Sequence, residues 1–164
     1  MNLDDALAWL QATGPARTIS ENEVLFPWIE SIHVLAITLV VGTIVIVDLR
    51  LIGIASLDRA ASRLMRDVLP FTWGAFVVAA ITGSLLFASN ARDYAHNFFF
   101  EGKLVLLALA GFNMAMFHIV GARDIARWGA TRQTPLTAKA AGTASLLIWI
   151  AVVAFGRWIG FTLH

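Results

Sequence analysis

Glu30 and His33 stand one helical turn apart in a long apolar run that begins at Trp28, and Asp48 and Arg50 close the same run. At 3.6 residues per turn, Glu30, His33, Ile37, Val41, Ile44 and Asp48 share one stripe of a helix. An ionisable side chain in hydrocarbon costs a few kcal/mol unless it is paired or turned into protein. The stripe is therefore expected to face the interior of a bundle whose other helices supply its partners. An imidazole there offers a nitrogen lone pair to a metal or a haem iron, and Glu30 is placed to orient it or to take its proton. Lys103, Asn113 and His118 lie in a later apolar run, Arg157 in the last, and His96 and His164 in polar or terminal positions.

The elements that must carry these groups are membrane helices. Of 164 residues, 59% are hydrophobic and 14% charged, and the mean hydropathy is +0.75. A soluble domain of this length has no means of hiding that much apolar surface, so the chain is expected to sit in a lipid bilayer. The net charge is +1 and no basic tract is interleaved with aromatics, which points away from nucleic acid. The chain has no cysteine, which excludes disulfides, Fe–S clusters, thiolate zinc sites and covalently attached c-type haem. The first twenty residues lack a basic start and an apolar core, so the first span is expected to direct insertion itself.

Residues 2–13 read as an amphipathic helix lying in the interface, with Leu3, Ala6, Leu7 and Leu10 on one side and Gly14-Pro15 ending it. Ser20-x-x-Glu23 has the form of a capping box opening the first span, with Pro27 as a kink or a later start. Four spans follow, at about 26–53, 70–88, 98–121 and 136–162. Residues 57–68 form a basic interfacial helix or helix extension, Pro70 opens the second span, and Thr134-Pro135 caps the fourth. Short connections make consecutive helices antiparallel neighbours. Trp28, Trp73, Trp128 and Trp158 read as interface anchors, and Gly42, Gly83, Gly111 and Gly142 as points of close helix approach. Eight of the twelve Lys and Arg residues (Arg50, Arg59, Arg63, Arg66, Arg123, Arg127, Arg132 and Lys139) lie in or beside the first and third loops. The positive-inside rule then places both termini outside the cytoplasm.

Depth follows from the rise of 1.5 Å per residue. His33, Lys103 and Arg157 each lie roughly 8 Å inward from the same, outer side, with Glu30 slightly shallower and Thr82 and Ser84 at a similar level. His118 lies about 30 Å along its helix, near the cytoplasmic face, so roughly 20 Å separates it in depth from His33. Two axial ligands each about 2 Å from one iron cannot be that far apart. His33 therefore needs a partner in its own layer: Lys103, His96, a water or none. Glu30, Lys103 and Arg157 are equally able to form a buried network that only fixes helix register, and Lys103 to snorkel to the interface. Met114, Met116 and His118 offer copper(I) donors, but Met116 points away from the other two on a helix.

A membrane-embedded His33 together with Gly102-Lys103-Leu-Val-Leu-Leu-Ala-Leu-Ala-Gly-Phe-Asn113 resembles the copper-resistance protein D (CopD-like) superfamily and the HemJ-type protoporphyrinogen oxidases. Glu30-x-x-His33 followed by Asp48-Leu-Arg-Leu51-x-Gly53 is similar to uncharacterised bacterial four-span proteins. The likeness covers roughly residues 28–121. It implies a four-span bundle in the bacterial inner membrane and b-type haem, with His33 and Lys103 as the matching pair.

The expectation is thus an all-α, four-helix transmembrane bundle with an N-terminal interfacial helix, in one domain. Its leading function is haem b binding with a redox or electron-transfer role at the outer leaflet. In that reading His33 is an axial ligand and Lys103 a second ligand or propionate partner. Arg157 is a propionate partner, Glu30 a second-sphere group, and His96 and His118 are further metal-ligand candidates. A redox protein or quinone would exchange electrons with it, and a homo-oligomer is compatible. The alternatives are transport or handling of a small solute or copper, and a structural subunit without cofactor.

Overall fold

The structure, a computed structural model, describes residues 2–57, 59–121 and 134–162, among which there is no strand. Helix α1 (Leu3–Gln11) opens with a reciprocal capping box. The Asp5 N–H donates to the Asn2 side chain at 2.9 Å, and the Asn2 N–H donates to the Asp5 carboxylate at 3.2 Å. It buries Leu7 while exposing Leu3 and Trp9, as suits a helix lying in an interface. Gly14-Pro15 ends α1 but also starts α2 (Gly14–Glu21), with proline in the first turn, where its missing N–H is no loss. The expected Ser20–Glu23 capping box does not form. Ser20 sits inside α2, and its hydroxyl donates to the Arg17 carbonyl. Asn22 takes the capping role, accepting from the N–H groups of Val24 and Leu25 at 2.9 Å each to open α3 (Leu25–Ile52).

After α3 come α4 (Ala61–Ser89), α5 (Ala91–Ala95), α6 (Phe98–Met116), and α7 (Leu136–Thr162). Helix α6 runs on into a π-helical turn, Phe117–Gly121. Helices α3, α4, α6 with its extension, and α7 are each long and apolar enough to cross a membrane, so this is a multi-pass membrane protein. Helix α4 begins well before Pro70, which lies inside it. The basic segment is its first turns, because Ala61, Leu64 and Met65 are buried against the bundle and packing outweighs the bond that Pro70 cannot donate. The earlier start also moves Trp73 from a helix end to the wall of a cavity between the helices. Trp28 and Trp158 are exposed near helix ends, while Trp128 lies outside the described residues. The N–H of Lys139 donates to the Pro135 carbonyl at 3.0 Å, so Pro135 stands at the mouth of α7.

Helix α3 packs on α4 and on α7, and α7 packs on α6. Helices α4 and α6 scarcely touch, although the short link through α5 makes them consecutive spans. Expecting every consecutive pair to be neighbours was therefore wrong for this one. The two are bridged at the α5 end by rings: Phe87 of α4 stacks on Phe100 of α6 with centroids 5.3 Å apart, and Tyr94 leans on both. One apolar cluster (Ile19, Ile29, Leu86) fills that end, and another (Val47, Leu51, Met65, Phe117, Ala138) fills the opposite end.

Polar ties set the register. At the α5 end, Asn97 caps α6 by accepting from Phe99 and Phe100 N–H, and its Nδ2 donates to Thr162 Oγ1 at 2.8 Å. There too His96 pairs with Asp4 at 3.2 Å and Gln11 donates to Asn90. Midway, Thr72 donates to Thr43 at 2.9 Å. At the opposite end, Arg50, only 1% exposed, donates to the Arg59 carbonyl at 2.9 Å and to Thr134 Oγ1 at 3.3 Å. The start of α7, the loop after α3 and α3 itself are thereby tied together. Arg123, Arg127 and Arg132 lie outside the described residues.

Gly142 marks a close approach of α3 and α7. A Cβ there would stand 3.1 Å from the Asp48 carbonyl oxygen and 3.0 Å from Leu51 Cβ, neither of which is a flexible tip. Gly142→Val is expected to cost about 1–3 kcal/mol through helix separation. Thermal unfolding of purified variants in detergent measures it; an unchanged transition would show that the contact carries no load. Gly42 and Gly111, by contrast, have open space where a Cβ would stand.

Candidate functional site

His33 is half-buried on α3 and points at α4. Its Nδ1 lies 2.9 Å from Thr82 Oγ1. The Thr82 hydroxyl donates its own proton to the Val78 carbonyl at 2.7 Å, with the Ala79 carbonyl at 3.2 Å. With its one proton on the Val78 carbonyl, Thr82 accepts from the ring; in that tautomer His33 donates through Nδ1–H and, when neutral, carries its lone pair on Nε2. Gly83 permits this approach, since a Cβ there would stand 2.8 Å from His33 Cε1. Lys103, half-buried on α6, is close enough to act electrostatically on His33. Its Nζ lies against α7 at Gly156, where a Cβ would stand 3.6 Å away. His33, Thr82 and Lys103 thus share one layer of the interior.

Two other groups expected in that layer are not in it. Arg157 is exposed on the face of α7 that also exposes Ile150, Val153 and Phe161, and its guanidinium lies over the Phe161 ring, 4.6 Å from the centroid. One turn from the helix end, it reaches the interface by snorkelling and needs no interior partner. Glu30 is exposed too and does not hold the His33 ring; Thr82 does. The Glu30 charge instead faces the bundle end near Tyr94, whose phenol is pushed above its usual range, by burial first and then by Glu30. Ser84 is exposed. His96 belongs to the surface pair with Asp4, and His164 lies outside the described residues.

His118 stands at the opposite end, on the π turn, with its ring Nδ1 2.8 Å from the Met114 carbonyl. A carbonyl only accepts, so Nδ1 donates and a neutral ring keeps its lone pair on Nε2. His118 and Met114 line a cavity of about 300 Å³ framed by α3, α4, α6 and α7 in the gap that α4 and α6 leave. Its wall is mostly apolar and includes the rings of Trp73, Phe76 and Trp149. Asp48, the last residue of the stripe expected to face the interior, is 4% exposed and lines this cavity. Its Oδ2 makes no hydrogen bond, and the Ser145 hydroxyl of α7 stands beside the carboxyl. Asn113 also lines the space and donates through Nδ2 to the Ala141 carbonyl at 3.0 Å. Ser145 carries no sequence signal, because a serine in an apolar helix is common. Asp48 was already on the His33 stripe, and that stripe is the signal that leads to the cavity.

Among the described residues, no three His, Asp or Glu side chains gather as a metal cluster. Met116 is exposed and does not join Met114 and His118 at the cavity. No curated protein and no solved structure matches the chain. A family model does, over residues 20–162, which takes in all four spans and both polar regions. The chain belongs to that family, a family of unknown function (DUF6644).

Proposed function

We propose that this is a b-type haem protein of the bacterial inner membrane that passes electrons, or senses redox state, at the outer leaflet. The observation that carries the reading is the state of His33. A half-buried imidazole in a membrane helix has its Nδ1–H tied to Thr82, which leaves Nε2 as the donor atom. Metal-bound histidines are held in this way by a hydrogen bond to the other nitrogen, which fixes ring orientation and tautomer. A neutral imidazole nitrogen is a donor of the kind that haem iron takes. His33 would hold the iron, and Lys103 would serve as second ligand or pair with a propionate. Haem, when bound, supplies one-electron chemistry. The chain's own share is to orient the imidazole and to place a cation near it. A quinone or a redox protein would exchange the electrons. The CopD-like and HemJ-like sequence features belong with this reading. The test is an absorbance spectrum with iron analysis of the purified protein. A Soret band that shifts on reduction is expected, and a colourless, iron-free preparation from haem-replete cells would overturn it.

The outer placement rests on charge. Arg50, Arg59 and Lys139 stand at the end of the bundle opposite α1, α5 and the last turn of α7. The positive-inside rule makes that end cytoplasmic. A reporter fused after Ser62 is expected to read cytoplasmic and one fused after Asn90 external. The reverse result would move the His33 layer to the inner leaflet.

A second reading, handling of a small solute, is favoured by the Asp48 cavity, which lies at the other end from His33.

A further inference from the structure

We infer that the cavity between α4 and α6 binds a lipophilic organic cation, a protonated amine with an apolar body, with Asp48 as its counter-ion. Asp48 is 4% exposed, lines the cavity and leaves Oδ2 without a hydrogen bond. Ser145 alone stands beside the carboxyl, and no cation pairs with it among the described residues. Burying a carboxylate without compensation costs several kcal/mol, so a ligand that brings a positive charge has a large gain to collect there.

The other polar atoms around the space select the same chemistry. His118 spends Nδ1–H on the Met114 carbonyl, which leaves Nε2 as an acceptor. Asn113 gives one Nδ2 proton to the Ala141 carbonyl, which leaves Oδ1 as an acceptor beside a second N–H. Thr72 has a single proton, directed at Thr43 Oγ1 at 2.9 Å with the Val68 carbonyl at 3.2 Å. Asp48 Oδ2, His118 Nε2 in the neutral ring and Asn113 Oδ1 are thus acceptors that N–H groups on the ligand can meet. The rest of the wall is apolar, and Trp73, Phe76 and Trp149 offer ring faces to a cation.

A bare metal ion does not fit. Hard cations take six or more oxygen ligands, and among the described residues no carboxylate or imidazole cluster surrounds Asp48. A neutral hydroquinone would satisfy the acceptors but leave the carboxylate uncompensated. The cation must therefore carry its own apolar shell. A volume of about 300 Å³ is at the lower bound of small-molecule sites, and the gap between α4 and α6 opens it sideways to lipid.

The probe is 9-aminoacridine, a flat aromatic amine that is cationic at neutral pH and carries N–H donors. Binding to the purified full-length protein in lipid nanodiscs is read by quenching of tryptophan fluorescence and by equilibrium dialysis. Saturable, one-to-one binding is expected, weakened at least about tenfold by Asp48→Asn, which keeps the side-chain shape and removes the charge. Gly111→Leu is the second variant. Gly111 lines the cavity and has open space where its Cβ would stand, so the added side chain is expected to fill the site without harming the fold, and binding should be lost. A hydroquinone of similar size should not compete. The proposal is overturned if wild-type protein shows no saturable binding, if either folded variant binds as wild type does, or if the hydroquinone competes equally. Equilibrium dialysis does not depend on haem, so this site and the His33 site stand or fall separately.

Discussion

His33→Ala is expected to abolish the Soret band while the protein still inserts and purifies as a bundle. Insertion depends on the apolar residues of α3, which this substitution leaves in place. The iron, in contrast, would lose its nitrogen donor. Thr82→Val tests the inner half of the arrangement. It keeps His33 but removes the oxygen that accepts from Nδ1–H, so haem retention should weaken by about 10–100-fold, the usual effect of losing such a partner. Lys103→Ala should shift the spectrum if Lys103 is a ligand, and mainly weaken retention if it pairs with a propionate. His118→Ala should leave the band intact, because His118 lines the cavity with Asp48, away from His33, with its own hydrogen bond to Met114. Loss of the band on changing His118, and not on changing His33, would place the iron at the wrong end for this proposal. A purely structural His33 would show no band in any variant and lost stability on replacement of His33 or Lys103.

Arg50→Ala is expected to produce the largest loss of stability of any single surface-distant substitution considered for this chain. Arg50 is 1% exposed, and its guanidinium reaches the Arg59 carbonyl and Thr134. Hydrogen bonds from a charged donor are worth about 1.5–3 kcal/mol each, and truncation also strands the acceptors and leaves a void, so a loss of about 3 kcal/mol or more follows. Arg50→Lys should recover only part of it, since one ammonium cannot reproduce the planar fork. Thermal unfolding in detergent reads both. Equal melting of Arg50→Ala and wild type would mean that Arg50 does not hold the loop and α7 to α3.

The four membrane helices and the inward turn of His33 were open to reading from the chain, because bilayer thickness demands about twenty apolar residues per span and makes each embedded ionisable group conspicuous. The same rule, applied residue by residue, misled for Glu30 and Arg157. It prices a charge by its position along a helix, whereas the cost depends on which way the side chain turns. Arg157 lies near a helix end on an outward face and rests on Phe161, so it escapes the penalty that depth alone assigns to it. Helix boundaries misled in the same manner: Pro70 is a strong local signal, but burial of Ala61, Leu64 and Met65 extends α4 past it.

By itself the sequence determined that this chain is a membrane helix bundle, that His33 and Lys103 sit at similar depth, and that His33 and His118 are too far apart to share one iron. Each of those conclusions needs only composition and the helical rise. Only the tertiary structure decided that Thr82 holds the His33 ring, that α4 and α6 part to leave a cavity, and that Asp48 faces it without a hydrogen bond to Oδ2. Those are facts about rotation and partnership between helices. Periodicity gives the face of a single helix, but which helix meets that face is settled by packing across segments far apart in the chain.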